Sequence, residues 1–188
     1  MVASSASETE NVLLQRIQDG IAFVTLNRPE RMNALEPRMM RELPEALRRL
    51  ADNPEARCVI LTGAGQSFCA GGDVRKMAGM ARDIAEGAAE GKSKGRKLST
   101  EARSAWLRRS AEASRLLYEM PKPTIAMING ACAGAGMSLA AACDFRFAAQ
   151  SARFVPAFTA SGMSGDYGGG WLWPRIIGSA KARQLLIL

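Results

Sequence analysis

The chain has 188 residues with 25 basic against 18 acidic side chains, a net charge of +7, and 47% apolar residues. It is long enough to bury one core and too apolar to stay disordered. It contains no histidine, which excludes Ser-His-Asp catalysis and histidine-based metal sites, because imidazole is the usual base for a serine nucleophile and the commonest transition-metal ligand.

In chain order, residues 1–11 read as an extended or disordered N-terminus, small, polar and acidic where a signal peptide would be basic and then apolar. Val12–Ile17 and Ile21–Leu26 are β-rich runs split by Asp19-Gly20, which predicts a hairpin. Met39, Leu43, Leu47 and Leu50 recur at helical spacing up to Asp52-Asn53-Pro54, and Pro44 inside that pattern predicts a kink or a late helix start. Cys58–Thr62 reads as a buried strand feeding the Gly-rich segment Gly63-Ala64-Gly65, the run Phe68–Val74, and then a helix. The same logic returns with strand Thr124–Asn129, a small-residue loop Gly130–Gly136, and a helix from Met137 to Ala142, followed by a strand at Phe145–Ala148.

Residues 75–115 hold eleven Lys/Arg against five Asp/Glu, a net +6, with an exposed loop expected at Lys92–Lys97. The following helix places Trp106, Ala113, Leu117 and Met120 on one stripe, read as core. The basic tract suits either a solvated face or steering of an anionic ligand. It lacks the interleaved aromatics of a base-stacking surface, so no nucleic-acid partner is expected. No run reaches the roughly 18 apolar residues of a membrane helix, and the four cysteines, Cys58, Cys69, Cys132 and Cys143, include no C-x-x-C pair. A reduced, cytoplasmic chain without a membrane partner follows as the expectation.

Two phosphate-binding patterns fail. Gly91-Lys92-Ser93 lacks its leading glycine, since position 86 is Glu86, and Gly134-Ala135-Gly136 lacks the third glycine of a dinucleotide fingerprint, since position 139 is Leu139. What remains is a pair of strand-to-loop-to-helix junctions rich in Gly and Ala, where backbone N–H groups at a helix start lack partners and can hold developing negative charge. Tight turns and close packing would explain the same glycines.

Asn27-Arg28-Pro29-Glu30-Arg31-Met32-Asn33-Ala34-Leu35, Phe68-Cys69-Ala70-Gly71-Gly72-Asp73-Val74, Pro123-Thr124 through Asn129-Gly130, Ala133-Gly134-Ala135-Gly136 and Cys143-Asp144 occur in order. Together they resemble the enoyl-CoA hydratase/isomerase, or crotonase, family. The resemblance implies an α/β fold, a spiral of repeated ββα units over residues 12–188, with the family's C-terminal helices apparently missing. It implies acyl-CoA substrates, trimers or pairs of trimers, and no cofactor beyond the coenzyme A of the substrate. By position, Gly72 and Ala135 look like the two oxyanion donors, with Gly71 and Gly134 keeping their loops open. Arg31, Asn33, Ala34, Ala70, Val74 and Arg75 match positions that grip the CoA moiety, and a cation at Arg75 suits a phosphate.

The resemblance breaks at the acid/base groups. Hydratases of the family place two glutamates around the substrate, and the matching positions here hold Ser138 and Phe158. Neither can act as a general base. Asp166, on the glycine-rich turn Ser164–Trp171, stands where isomerase-type members carry an acid, although an aspartate there also suits a helix N-cap. Ser138 and Tyr167 could orient a water or the acyl chain, and Phe154, Phe158, Trp171 and Trp173 could wall an apolar acyl pocket. Isomerisation is therefore the expected chemistry. The alternative is a member that keeps the CoA groove and has lost turnover. The chain stops inside the helical pattern Lys181–Leu188, whose apolar face is expected to lack a partner.

Overall fold

The computed structural model describes residues 11–73, 99–160, 162, 165 and 167–187. Strands β1 (Leu13–Gln18) and β2 (Ile21–Leu26) form the expected hairpin. Its two-residue loop closes because Asp19 and Gly20 both take positive φ, 54° and 81°, as a type I′ turn requires. From β2 onward, β3 (Cys58–Gly63), β5 (Thr124–Ile128) and β7 (Phe145–Ala148) run parallel, giving a sheet of order β1-β2-β3-β5-β7. Three short strands, β4 (Ser67–Cys69), β6 (Ala131–Ala133) and β8 (Arg153–Val155), make a second parallel sheet in the order β4-β6-β8.

The helices are α1 (Pro37–Asp52), α2 (Thr100–Tyr118), α3 (Ala135–Ala142), α4 (Ala157–Ala160), α5 (Gly169–Ile177) and α6 (Ser179–Ile187). The chain visits the long sheet, then the short sheet, then a helix: β5, β6, α3, and then β7, β8, α4. This is the expected α/β spiral of ββα units.

Alternation sorts the long sheet into two faces. Ala22, Val24, Leu26, Val59, Leu61, Ala126 and Ile128 are buried on the inner face, against Met39, Leu43, Leu47 and Leu50 of α1 and Ala113 and Leu117 of α2. Each such Leu, Val or Met contributes roughly 1.5–3 kcal/mol by leaving water. On the outer face Met127, Phe145 and Phe147 remain exposed.

Three expectations are corrected. Helix α1 starts at Pro37, which overturns the late start and leaves only the kink alternative at Pro44, now inside the helix; a proline in the first turn needs no N–H partner and its φ is already helical. The segments read as loops at Phe68 and after Gly130 contain strands β4 and β6, whose three residues each are too few to show a period. The apolar side of α6 is partly covered by this chain's own core, since Leu185 and Leu186 pack against it, leaving Ile187 at 67% exposure. The N-terminal residues 1–10, the helix expected after Gly72, the loop Lys92–Lys97, the side chain of Trp106, and Val74, Arg75, Asp166 and Leu188 lie outside the described residues. No helix among those described is long and apolar enough to cross a membrane.

Cys69, Cys132 and Cys143 are buried and Cys58 is half-buried, all as free thiols. Loss of water around the sulfur pushes Cys69 and Cys143 up to about 12 and raises Cys132 as well. Cys58 is raised first by desolvation and then by the Asp144 carboxylate. A thiol-disulfide reagent at pH 8 should therefore modify one thiol, Cys58, in the native chain and all four after denaturation. Rapid modification of two or more native thiols, counted by mass spectrometry, would contradict this packing.

Candidate active site

The first loop is held from below by side chains. Asn33, fully buried with φ 55°, accepts from the Arg28 N–H at 2.8 Å. Its amide donates to the carbonyls of Ala64 at 2.9 Å and Ser67 at 2.7 Å. All these bonds go to the chain itself, so the Asn33 side chain ties the Arg31–Leu35 turn to the end of β3. Arg28 donates to the Ala34 carbonyl at 2.7 Å and pairs with Asp73 at 3.4 Å, joining the turn to the segment after β4. Arg28 and Asp73 stand inside the sequence motifs without an assigned role, and the fold pairs them. Along the same turn Arg31 is exposed, Ala34 is buried and Ala70 is half-buried, with the Ala70 N–H bonded to the Met32 carbonyl at 2.9 Å.

Gly72 forms a parallel bridge to Leu35. The Leu35 N–H donates to the Gly71 carbonyl at 2.7 Å, and the Leu35 carbonyl accepts from the Asp73 N–H at 3.2 Å. Because residues 71 and 73 make those bonds, the N–H and C=O of Gly72 point to the opposite side. The Gly71 N–H turns inward onto the buried Cys69 sulfur at 3.4 Å, with φ +85°, a value that favours glycine.

The second loop meets the first backbone to backbone. A Cβ at Gly71 would lie 2.9 Å from the Ala133 oxygen and 3.2 Å from the Ala135 nitrogen, and a Cβ at Gly134 would lie 3.9 Å from the Gly71 Cα. Gly134, with φ 48°, turns the chain from β6 into α3, whose first residue is Ala135. The Ala135 N–H is thus one of the amides a helix start leaves without an intrahelical acceptor. Among the described residues neither Gly72 nor Ala135 donates a backbone hydrogen bond. The fold therefore brings the two segments singled out in the sequence side by side.

Gly136 fixes the depth of this approach. A Cβ there would meet the Cys69 carbonyl oxygen at 2.5 Å and its Cβ at 2.8 Å. Neither is a flexible end, so Gly136→Ala should lower stability by about 1–3 kcal/mol, read from the urea midpoint at unchanged slope.

Beside Gly134 opens a cavity of ≈ 50 Å³, bordered by Met137, Ser138, Phe158, Gly169, Trp173 and Leu186 among others. Ser138 and Phe158, distant in sequence, thus border one space. Gly169 lets α5 close on Ser138, since a Cβ there would lie 2.4 Å from the Ser138 oxygen. Gly165, next to Asp166 in the chain, also borders the cavity. Phe154 stands edge-to-face on Trp173 at 6.3 Å between centroids, whereas Trp171 is 47% exposed and faces Tyr118 and Arg175. Trp171 therefore belongs to the surface of α5, and the aromatic wall is Phe158 and Trp173, backed by Phe154. A separate depression of ≈ 730 Å³ between α1 and α2 is bordered by Arg41, Arg48, Arg108 and Arg109 with Glu45 and Glu112.

Comparison with known proteins matches residues 16–188 to the family model described as enoyl-CoA hydratase/isomerase. A protein of Rhodobacter capsulatus named probable enoyl-CoA hydratase is 43% identical over 171 residues, covering 91% of this chain and 59% of its own length. The 1,2-epoxyphenylacetyl-CoA isomerase of Escherichia coli is 38% identical over 180 residues, with 94% and 62% covered. The crystal structure of an enoyl-CoA hydratase from Polaromonas sp. JS666 superposes with a TM-score of 0.78 at 34% identity, covering 93% of this chain and 62% of that one. The chain spans about three-fifths of the length of these relatives.

Proposed function

Because the chain belongs to the enoyl-CoA hydratase/isomerase family, we propose that it acts on an acyl-CoA thioester and moves a carbon–carbon double bond through an enolate. The observation that carries this reading is the backbone approach of the two glycine loops, with Gly71 within a Cβ's reach of the Ala135 nitrogen. In the reaction, the thioester oxygen of a 3-enoyl-CoA accepts from the Gly72 and Ala135 N–H groups. The Asp166 carboxylate takes the proton from the α-carbon. Electrons move into the carbonyl to give a dienolate, whose charge the two amides stabilise as it develops. Asp166 then returns the proton to the γ-carbon and the double bond settles between the α- and β-carbons, with no net change in atoms.

Isomerisation is preferred to hydration because hydration needs a group to activate water and a group to deliver a proton. By the sequence resemblance the hydratase glutamate positions fall on Ser138 and Phe158, and both of these residues border the cavity. Both hydratases and an isomerase occur among the named relatives, so the side chains decide. On the same reading Arg31, Ala34, Ala70, Val74 and Arg75 receive the CoA moiety, with Asn33 holding their loop. The exposed Met127, Phe145 and Phe147 give copies of the chain an apolar surface on which to assemble as trimers.

The test is ultraviolet absorbance of the conjugated thioester, with a 3-enoyl-CoA in one cuvette and crotonyl-CoA in the other. Signal gained from the 3-enoyl-CoA is the expected result. Signal lost from crotonyl-CoA would overturn the isomerase assignment. Silence in both with CoA thioester binding retained would favour the second reading, a binding protein, which the missing carboxylates at Ser138 and Phe158 support.

A further inference from the structure

The segment that carries the Gly72 amide has little of its own to hold it in place. Ala70, Gly71 and Gly72 have no side chain long enough to tie the loop to a neighbour, and glycine leaves the backbone freer than any other residue. Gly72 meets Leu35 in an isolated bridge rather than a strand ladder. The two hydrogen bonds of that bridge, 2.7 Å and 3.2 Å, set the direction of the Gly72 N–H only while the two segments stay together. The first side chain after the glycines that reaches across is Asp73, and its partner is Arg28.

The Arg28 guanidinium fastens both sides of the bridge. Its Nη1 donates to the carbonyl of Ala34, the residue before Leu35, at 2.7 Å, and Nη1 and Nη2 both lie 3.4 Å from Oδ2 of Asp73, the residue after Gly72. Both side chains are only 12% exposed, so salt screens the pair less than it would at the surface. Arg28 is itself anchored, since its N–H donates to the Asn33 side chain, which in turn holds Ala64 and Ser67. We infer that Arg28 is a positioning residue for the reaction: through Asp73 and the Ala34 carbonyl it keeps the Leu35–Gly72 bridge closed, and so keeps the Gly72 N–H aimed at the oxyanion. The inference rests on the acyl-CoA reading above and adds the charge pair on which the first donor depends. A donor that swings away leaves the substrate bound and stabilises the enolate less, so Arg28 acts on kcat and not on KM.

The experiment uses acetoacetyl-CoA, a 3-keto thioester whose enolate absorbs in the near ultraviolet far more strongly than its keto form. On the wild-type chain at one fixed pH, binding should raise the ratio of enolate to keto form above its value in solution. Arg28→Met should bind acetoacetyl-CoA about as tightly and lower that ratio about tenfold, less than the loss of a whole oxyanion donor, with kcat for a 3-enoyl-CoA falling by the same factor at unchanged KM. Asp73→Asn, which leaves the Arg28 bond to Ala34 in place, gives a second test if Arg28→Met folds poorly. The double variant should be no worse than Arg28→Met, because the two groups act as one unit. If the variants melt earlier but keep the wild-type ratio and kcat, if they lose them only together with thioester binding, or if the two substitutions add, Arg28 is merely structural and the acyl-CoA reading stands without it. If the wild-type chain binds acetoacetyl-CoA no more tightly than free coenzyme A, or leaves its enolate ratio as in solution, the enolate reading falls and this inference falls with it.

Discussion

If the proposed isomerisation is the reaction, Ala135→Pro should leave the chain folded and lower turnover of a 3-enoyl-CoA by roughly 10²–10³-fold, the scale set by losing one oxyanion donor. The substitution is unusually clean because Ala135 is the first residue of α3. A proline there removes an N–H with no intrahelical bond to lose, and its fixed φ already suits a helix start. Gly134 precedes it with φ 48° and ψ −120°, a conformation only glycine adopts easily, so the restriction a proline places on its neighbour falls on the most permissive residue type. The ring carbon that replaces the amide hydrogen would occupy the position the proposed mechanism gives to the thioester oxygen. Thermal melting should therefore change little while the absorbance assay collapses. If turnover survives, Ala135 is not a donor; if the melt collapses as well, the N-terminus of α3 depends on that amide for its own fold.

Much of this arrangement was legible because the residues that shape it have local signatures. Asp19-Gly20 between two β-rich runs predicts a hairpin, and the turn forms with positive φ at both residues. The Gly71-Gly72 and Gly134-Ala135 pairs were readable as loops for the same reason, since few other residues tolerate such backbone. The second sheet was not readable, because β4, β6 and β8 have three residues each and are defined by partners 20 or more positions away. Asn33 illustrates another limit. Its place in the Arg31–Leu35 motif suggested a ligand contact, yet its three side-chain bonds run to Arg28, Ala64 and Ser67, and only the folded chain shows where a buried amide directs its donors. Cys69 looked like filler for the core and also turns out to hold the Gly71 N–H. Nothing in the sequence marks a thiol as an acceptor two residues downstream.

Those thiols make the stability of the chain fall steeply at alkaline pH. Cys69 and Cys143 titrate at about 12 in the folded chain and Cys132 is also raised, in each case chiefly because burial disfavours the thiolate. In the unfolded chain the same groups ionise near the ordinary thiol value of about 8.5. Below that pH both states hold neutral thiols and the full stability is present. Above it the unfolded state sheds protons that the folded state keeps, so stability declines until the folded thiols themselves ionise. Each thiol removes about 1 kcal/mol per pH unit in that window, and three acting together remove roughly 3–4. Against a total of about 5–15 kcal/mol for a domain, the urea midpoint should drop sharply between pH 9 and about 11, with unfolding in plain buffer before the window ends. The slope identifies its own cause. Cys143→Ala, which removes one of the three groups, should be less stable than the wild type at pH 7 and yet lose stability about one third more slowly as pH rises. A Cys143→Ala chain with the same alkaline slope as the wild type would assign the decline to lysine and tyrosine side chains instead.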